Sequence, residues 1–278
     1  MIRLIFYAVI NQKRFVDNLI ATYGVTKTAV TPATGDLMYA REDSKLLEDQ
    51  RKFMSLNATL MYASKRTYPE ISFVVVYLSS RYNKATENDY AKAMRVAEYI
   101  VGYKENHGVI QSPKSLQLVA KSDASSAEHA DGTSHTRRAV GFESDYACWF
   151  KWLSTKQPVV ALSTCESELI ATCTVGCAEE WAQQFVQELG YAQGTIEIGV
   201  DNKCSMRLLE QRNGPFKRAK HIKVRVFRLK DLIDDGEIVP TYVPSKELVA
   251  DMLSKVTARA KFKYLRGKPQ LGLREDEA

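Results

Sequence analysis

The order of apolar patterns in the second half of the chain is the feature that most constrains its fold. From Leu116 to Lys121, one side of the chain carries Leu116, Leu118 and Ala120, and the residues between them would face the other side. This alternation predicts a half-buried strand that runs into Ser122 and Asp123. Two aromatic and apolar runs, residues 139–142 and 146–153, predict a hairpin directly after it. The second half of the chain is therefore predicted to begin with three strands.

A long helix follows the three strands. Ser163 or Thr164 is predicted to cap it, and the pattern continues through Leu189 to a break at Gly190. The remaining elements are a short strand ending at Asp201 and, in order, helices over 204–211 and 221–233, a strand over 237–243 and a helix over 248–255. This order predicts an α/β fold with a mixed five-stranded sheet flanked by helices.

The first half of the chain is patterned differently. Helical spacing of apolar residues starts near residue 56, and Thr86 with Asp89 predicts a capping box for a helix through Tyr103. The segment 107–115 contains Gly108 and Pro113 and is interpreted as a boundary. We therefore expect a mainly helical N-terminal region over residues 1–110, an α/β domain over 111–262 and a tail over 263–278.

Composition narrows the class of protein. The apolar runs are too short to span a bilayer, so no membrane association is expected. The five cysteines form no CxxC pair, which disfavours a zinc site and fits a reducing compartment. From residue 203 to the end there are 18 Lys and Arg against 10 Asp and Glu, whereas the preceding 202 residues carry 21 against 23. The basic excess is either a solvated tail or a surface for a polyanion such as nucleic acid.

Four carboxylates fall at predicted strand ends and helix starts: Asp123, Glu168, Asp201 and Asp251. Sites in open α/β sheets form at such positions, and Mg²⁺ prefers oxygen ligands. Each acid alone could instead be a turn or cap residue; the set in this order favours a two-metal phosphodiester site. Glu166 competes with Glu168, because residues two apart point in different directions on a helix, and the small residues that share the side of Glu168 favour Glu168.

These residues lie in longer stretches that resemble the ribonuclease H region of copia-type retrotransposon polyproteins. The matching stretches are SDAS from Ser122, GFESDYACWFKWLSTKQPVVALSTCESELIA from Gly141, VDNKCSM from Val200, KRAKHIKVRVFRLKD from Lys217 and LVADMLSK from Leu248. Upstream, QKRFVDNLIATYGV, LMYASKRTYPEISFVVVYLSS and AKAMRVAEYIVGYK resemble the connection between polymerase palm and ribonuclease H. The resemblance runs from about Gln12 to about Phe262.

The resemblance implies a ribonuclease H-like fold and a role for each acid. Asp123 would bridge two metal ions, Glu168 would be the second ligand, Asp201 would complete the first ion's shell and help to orient water, and Asp251 would bind the second ion. The ions implied are two Mg²⁺, with Mn²⁺ as the alternative. Basic residues implied to hold the nucleic acid backbone are Lys203, Lys217, Arg218, Lys220, Lys223 and Arg225, with His221 in the same stretch.

The activity implied is metal-dependent endonucleolytic cleavage of the RNA strand of an RNA–DNA hybrid. The partners implied are the hybrid and the upstream polymerase portion of the same polyprotein, in the cytoplasm within a virus-like particle, or alternatively in the nucleus. Paired palm aspartates are absent, so polymerisation is not expected of this chain alone. The family's second acidic or tryptophan position after Asp123 is replaced by Ala-Ser-Ser-Ala-Glu, and Ser245-Lys246 stands where some cellular ribonucleases H have a histidine. The alternatives are an inactive hybrid-binding relic and a DNA-cutting nuclease or integrase of the same fold.

Overall fold

A computed structural model describes residues 7–39, 44–105, 107–111, 113, 115–144, 148–210, 220–245, 248 and 273–274. The described residues divide into two compact units between Gln111 and Ser112. The first also contains the strand Leu273–Arg274, and the second ends at Ser254. The predicted domain bounds, 1–110 and 111–262 with a tail over 263–278, stay predictions.

The helices and strands follow in this chain order: β1 (Tyr7–Asn11), α1 (Lys13–Tyr23), α2 (Gln50–Ser64), α3 (Ser72–Ser79), α4 (Glu87–Gly102), β2 (His107–Gln111), β3 (Leu118–Ser125), β4 (His135–Phe142), β5 (Trp149–Lys156), α5 (Thr164–Glu188), β6 (Ile196–Val200), α6 (Lys203–Glu210), α7 (Lys220–Asp234), β7 (Ile238–Tyr242) and β8 (Leu273–Arg274). A short 3₁₀ turn, Pro69–Ile71, precedes α3.

The first unit is mainly helical, as predicted. Helices α2, α3 and α4 pack on one another around buried side chains such as Phe53, Leu60 and Ile100. The capping box predicted at the start of α4 is present, since Thr86 and Asp89 bond to each other's backbone N–H groups. A small antiparallel sheet in the order β1-β2-β8 was not predicted from the sequence.

The second unit is built on a five-stranded mixed sheet in the order β5-β4-β3-β6-β7. Strands β3, β4 and β5 are antiparallel neighbours, while β6 and β7 run parallel to β3. The alternation predicted for the first of these strands is present, because Leu118 and Ala120 are buried whereas Val119 and Lys121 are half-buried. The predicted α/β architecture, a mixed five-stranded sheet with helices packed on it, is therefore confirmed.

Helix α5 lies on this sheet, mainly over β3, and also packs against α7. Ser163 is its N-cap and accepts a hydrogen bond from the backbone N–H of Glu166 at 3.1 Å. Gly176 brings α5 and α7 close together, because a β-carbon there would lie 2.6 Å from a methyl group of Leu229. The helix ends where predicted, with Gly190 in the left-handed region.

Two predicted boundaries change, and a third prediction falls almost entirely on residues that the structure does not describe. Strand β4 begins at His135 and not at residue 139, because two arginines in the stretch interpreted as a polar connection are buried in ion pairs. Residues 107–111, interpreted as part of a boundary, form strand β2. The predicted last helix over 248–255 lies outside the described residues except for Leu248. Among the helices described, no segment has the length and apolar character needed to cross a membrane.

Candidate active site

Asp123 and Asp201 lie side by side because their strands are parallel neighbours. The register of β3 and β6 pairs Lys121 with Gly199, so each aspartate stands two residues beyond a paired position. Asp123 is still within β3, which continues to Ser125, and is buried. Asp201 directly follows β6 and is half-buried. The topology of the sheet therefore brings the two carboxylates to the same edge.

Glu168 reaches the same place from α5. It lies in the second turn of the helix and is only 3% exposed. Its Oε1 accepts a hydrogen bond from the backbone N–H of Ala124 at 3.2 Å. Its Oε2 is buried and has no hydrogen-bond partner among the residues that the structure describes. A buried carboxylate oxygen without a donor is costly unless a proton or a cation joins it.

Together the three acids form a compact oxygen cluster. Asp123, Glu168 and Asp201 each offer one carboxylate oxygen, and these atoms lie within 4.8 Å of one another. Oxygen atoms in this arrangement can hold a hard divalent cation such as Mg²⁺ or Mn²⁺.

The protonation of Glu168 shows how strongly the acids interact. Burial, followed by repulsion from Asp123 and Asp201, raises the pKa of Glu168 to about 9. The hydrogen bond from Ala124 and the nearby charge of Arg137 act in the opposite direction. Without a cation, Glu168 is therefore neutral at physiological pH, and a cation would favour its ionised form.

A buried cation stands next to the cluster. Arg137 on β4 is opposite Asp123 in the strand register, and its Nη1 donates a hydrogen bond to Asp123 Oδ2. Its Nη2 lies 3.8 Å from the carboxylate of Glu128, which is in the β3–β4 loop. Arg137 thus joins the acid of the strand to an acid of the loop.

Two further contacts shape the site. Ser245, after β7, donates a hydrogen bond to Asp201 Oδ2 at 2.7 Å. Glu166, the alternative to Glu168 in the sequence, turns back instead to accept a hydrogen bond from the backbone N–H of Leu162 at 2.6 Å. The helical phase therefore separates the two glutamates as predicted, with Glu168 in the cluster and Glu166 at the helix start.

The remaining predicted residues are placed as follows. Asp251, Lys217 and Arg218 lie outside the described residues. Lys203 at the start of α6 is exposed, with its ammonium group 4.6 Å from the ring centre of Tyr242. Arg225 is exposed on α7, and the same helix contains Lys220, His221 and Lys223, whose side chains are not described. The predicted roles of all these residues stay predictions.

Sequence reasoning missed the contacts of three residues around the acids: Arg137 and Ser245 touch them directly, and Glu128 lies against Arg137. Arg137 was assigned to a polar connection between strands. In the structure it belongs to β4 and is paired with Asp123 of β3 in the strand register. Glu128 is the last residue of the run Ala-Ser-Ser-Ala-Glu that follows Asp123. Its contact with Arg137 was not predicted. Ser245 was considered only as the replacement of a histidine, with no local signal for its contact to Asp201.

Comparison with known proteins gives relatives along almost the whole chain. The chain is 25% identical over 263 residues to the "Retrovirus-related Pol polyprotein from transposon TNT 1-94" of Nicotiana tabacum, covering 91% of this chain and 19% of that protein. It is 23% identical over 262 residues to the corresponding polyprotein from transposon RE1 of Arabidopsis thaliana, covering 93% of this chain and 18% of the relative. The chain thus spans about a fifth of these curated relatives. No protein-family model matches it.

Solved structures are similar at lower identity. LC11-RNase H1 in complex with an RNA/DNA hybrid shares 13% identity with a TM-score of 0.37, over 49% of this chain and 93% of that one. The foamy viral protease-reverse transcriptase in complex with dsDNA shares 13% identity with a TM-score of 0.47, over 84% of this chain and 42% of that one. The transposon polyproteins match more than nine tenths of this chain at a higher sequence identity than these solved structures. The predicted resemblance is therefore confirmed: this chain is homologous to a segment of the retrovirus-related Pol polyproteins of copia-type plant retrotransposons.

Proposed function

We propose that this chain cleaves the RNA strand of RNA–DNA hybrids by metal-dependent hydrolysis, as the ribonuclease H part of a retrotransposon reverse transcriptase. The observation that carries this proposal is the cluster of Asp123, Glu168 and Asp201, whose ligand oxygens lie within 4.8 Å of one another at one edge of the sheet. Similarity to transposon Pol polyproteins along 91% of the chain supports the substrate class.

The residues present fit a divalent cation, and we propose that the site holds a pair. The donors are carboxylate oxygens, and the buried Oε2 of Glu168 lacks a partner among the described residues. Asp123, Glu168 and Asp201 would hold the ions, with Asp251 as a fourth ligand by resemblance. Two Mg²⁺ ions, or Mn²⁺, would supply the charge that activates water and stabilises the leaving oxygen.

The side chains around the cluster have complementary tasks in this proposal. Asp201 is half-exposed and would orient the attacking water, while Ser245 fixes one of its oxygens by the 2.7 Å hydrogen bond. Hydrolysis would leave a 3′-hydroxyl and a 5′-phosphate. Lys203, close to Asp201 in sequence, and Arg225 are exposed and available to phosphate groups. Lys217, Arg218, Lys220, His221 and Lys223 are proposed to extend this contact.

The N-terminal unit is proposed to be a connection region that grips the hybrid without catalysing a reaction. The polymerase portion would belong to the same polyprotein, since the chain covers about a fifth of its relatives. The proposed location is a cytoplasmic virus-like particle, with the nucleus as the alternative.

The test is cleavage of an end-labelled RNA–DNA hybrid by the purified chain in Mg²⁺ and in EDTA, beside a DNA duplex of the same sequence. We expect cleavage of the RNA strand in Mg²⁺ only. Asp201→Asn should abolish cleavage, and Gln184→Ala, an exposed site near the C-terminal end of α5, should retain it. Hybrid binding without cleavage would identify an inactive binding relic, and equal cleavage of the duplex would identify a DNA nuclease or integrase of this fold. Either result would overturn the proposal.

A further inference from the structure

Arg137 is a buried, positively charged side chain next to the acid cluster. Arg137 is 1% exposed, and its contacts include Asp123 Oδ2 and the nearby Glu128 carboxylate. A guanidinium group keeps its positive charge over the accessible pH range. It therefore places a permanent charge beside three acids that lie within reach of one ion.

Asp123 faces two demands on its carboxylate. One oxygen, Oδ2, accepts the hydrogen bond from Arg137, and the same carboxylate belongs to the oxygen cluster that fits a metal. Two positive charges on one buried carboxylate repel each other, and the repulsion is only weakly screened there. The guanidinium and a bound cation must therefore compete for the negative charge of Asp123.

We propose that Arg137 is the built-in counter-charge of the metal-free site: it stabilises the fold before a cation binds and lowers the affinity for that cation. It is a positioning residue, since its buried side chain acts through Asp123 and Glu128. This inference rests on the proposed function, because it assumes that the acid cluster binds a divalent cation.

The chain offers a matched control in the next residue. Arg138 is also buried, and its Nη1 lies 3.3 Å from the buried carboxylate of Glu179 on α5. The two arginines share a strand, a charge and a buried acidic partner, but the partner of Arg138 is not in the cluster. Any general cost of removing a buried arginine from β4 should therefore appear in both variants.

The test compares wild type, Arg137→Gln and Arg138→Gln in the full chain. Unfolding temperature is measured in EDTA and along a Mn²⁺ titration, and the dissociation constant for Mn²⁺ is measured by calorimetry. We expect Arg137→Gln to unfold at a lower temperature in EDTA, to gain more from Mn²⁺ than wild type, and to bind Mn²⁺ about tenfold more tightly. Arg138→Gln should lose stability while keeping the wild-type affinity for Mn²⁺.

The outcomes separate this inference from the proposed function. Unchanged or weaker Mn²⁺ affinity in folded Arg137→Gln overturns the counter-charge role while leaving the proposed hydrolase intact. Absence of Mn²⁺ binding to wild type overturns the proposed function itself, and with it the counter-charge. If Arg137→Gln folds only in Mn²⁺, the inference is supported. If it folds in neither condition, Arg137→Lys decides: its charge is retained, so its affinity should stay within about twofold of wild type, and a larger change overturns the inference.

Discussion

Glu168 on helix α5 accepts a hydrogen bond from the backbone N–H of Ala124, the residue that directly follows Asp123 on strand β3, at 3.2 Å. This contact fixes one oxygen of Glu168, the residue that joins Asp123 and Asp201 in the oxygen cluster. The buried Oε2 lacks a hydrogen-bond donor among the described residues. The helix and the strand thus hold two carboxylates close together at a cost that a bound cation would remove.

The first prediction concerns pH and the stability of the metal-free protein. The pKa of Glu168 is raised to about 9 in the fold, from 4.5 in the unfolded chain. Because the pKa of Glu168 is higher in the folded state, its contribution to the free energy of unfolding is complete below pH 4.5. The free energy of unfolding then falls as the pH rises from 4.5 towards 9, since Glu168 loses its proton first in the unfolded chain. We expect Glu168→Gln to unfold with a free energy higher by up to about 3 kcal/mol at pH 7.

Urea unfolding in EDTA between pH 5 and 8 measures this effect. In EDTA, the free energy of unfolding of Glu168→Gln should exceed that of wild type by an amount that grows with pH. In saturating Mn²⁺, wild type should be the more stable of the two. A difference that is constant over this range would show that Glu168 does not titrate as the fold predicts.

The second prediction separates the two neighbouring glutamates. Glu168 belongs to the oxygen cluster, and Glu166 accepts a hydrogen bond from the backbone of Leu162 at the start of α5. We expect Glu168→Gln to lower hybrid cleavage about 100-fold or more, because it removes a charge at the reacting centre. Glu166→Gln should keep cleavage within about twofold and cost less than about 1 kcal/mol of stability. Single-turnover cleavage in Mg²⁺ is the measurement, and equal losses in the two variants would contradict the assignment.

Local sequence patterns predicted much of the α/β unit. The alternation before Asp123, the cap at Ser163 and the break at Gly190 depend on residues close together in sequence, and each is present in the structure. The choice of Glu168 over Glu166 also followed from helical phase. These features depend on backbone geometry with a period of two or 3.6 residues, which a sequence displays directly.

Other features depend on partners distant in sequence. Strand β2 pairs with β1 across about a hundred residues, and no local pattern in residues 107–111 indicates that partner. The early start of β4 was missed because Arg137 and Arg138 look like solvent-exposed residues. Their burial is explained by Asp123 and Glu179, which a hydropathy pattern does not reveal.

The third prediction tests the close approach of β4 and β5. The strand register shifts between Val140 and Gly141, and a β-carbon on Gly141 would lie 2.4 Å from the backbone oxygen of Cys148. Because the obstacle is backbone, Gly141→Ala should separate the strands and lower the free energy of unfolding by about 2 kcal/mol. Gly35→Ala is the control, since nothing lies within 4 Å of a β-carbon there. Thermal unfolding of both variants checks the prediction, which fails if the two lose the same stability.

The fourth prediction concerns acid unfolding and a buried pair of histidines. His135 on β4 is fully buried, with its Nδ1 3.0 Å from Nε2 of His129 and its Nε2 2.6 Å from the hydroxyl of Ser154. Burial, together with the positive charges of Arg137 and His129, lowers the pKa of His135 to about 2. The folded state therefore keeps His135 neutral, while the unfolded chain takes up a proton near pH 6.5.

A lowered histidine pKa gives stability that is complete above pH 6.5 and is lost as pH falls towards 2. Between pH 6.5 and 4.5 we expect His135 to contribute a loss of about 2 kcal/mol in the free energy of unfolding of wild type. His135→Gln should remove most of that pH dependence, although it lowers stability at pH 7. Ser154→Ala keeps both imidazoles and should retain the wild-type slope. Urea unfolding at pH 4.5, 5.5, 6.5 and 7.5 measures the slopes. If His135→Gln has the same slope as Ser154→Ala, the acid sensitivity of this fold arises from other groups.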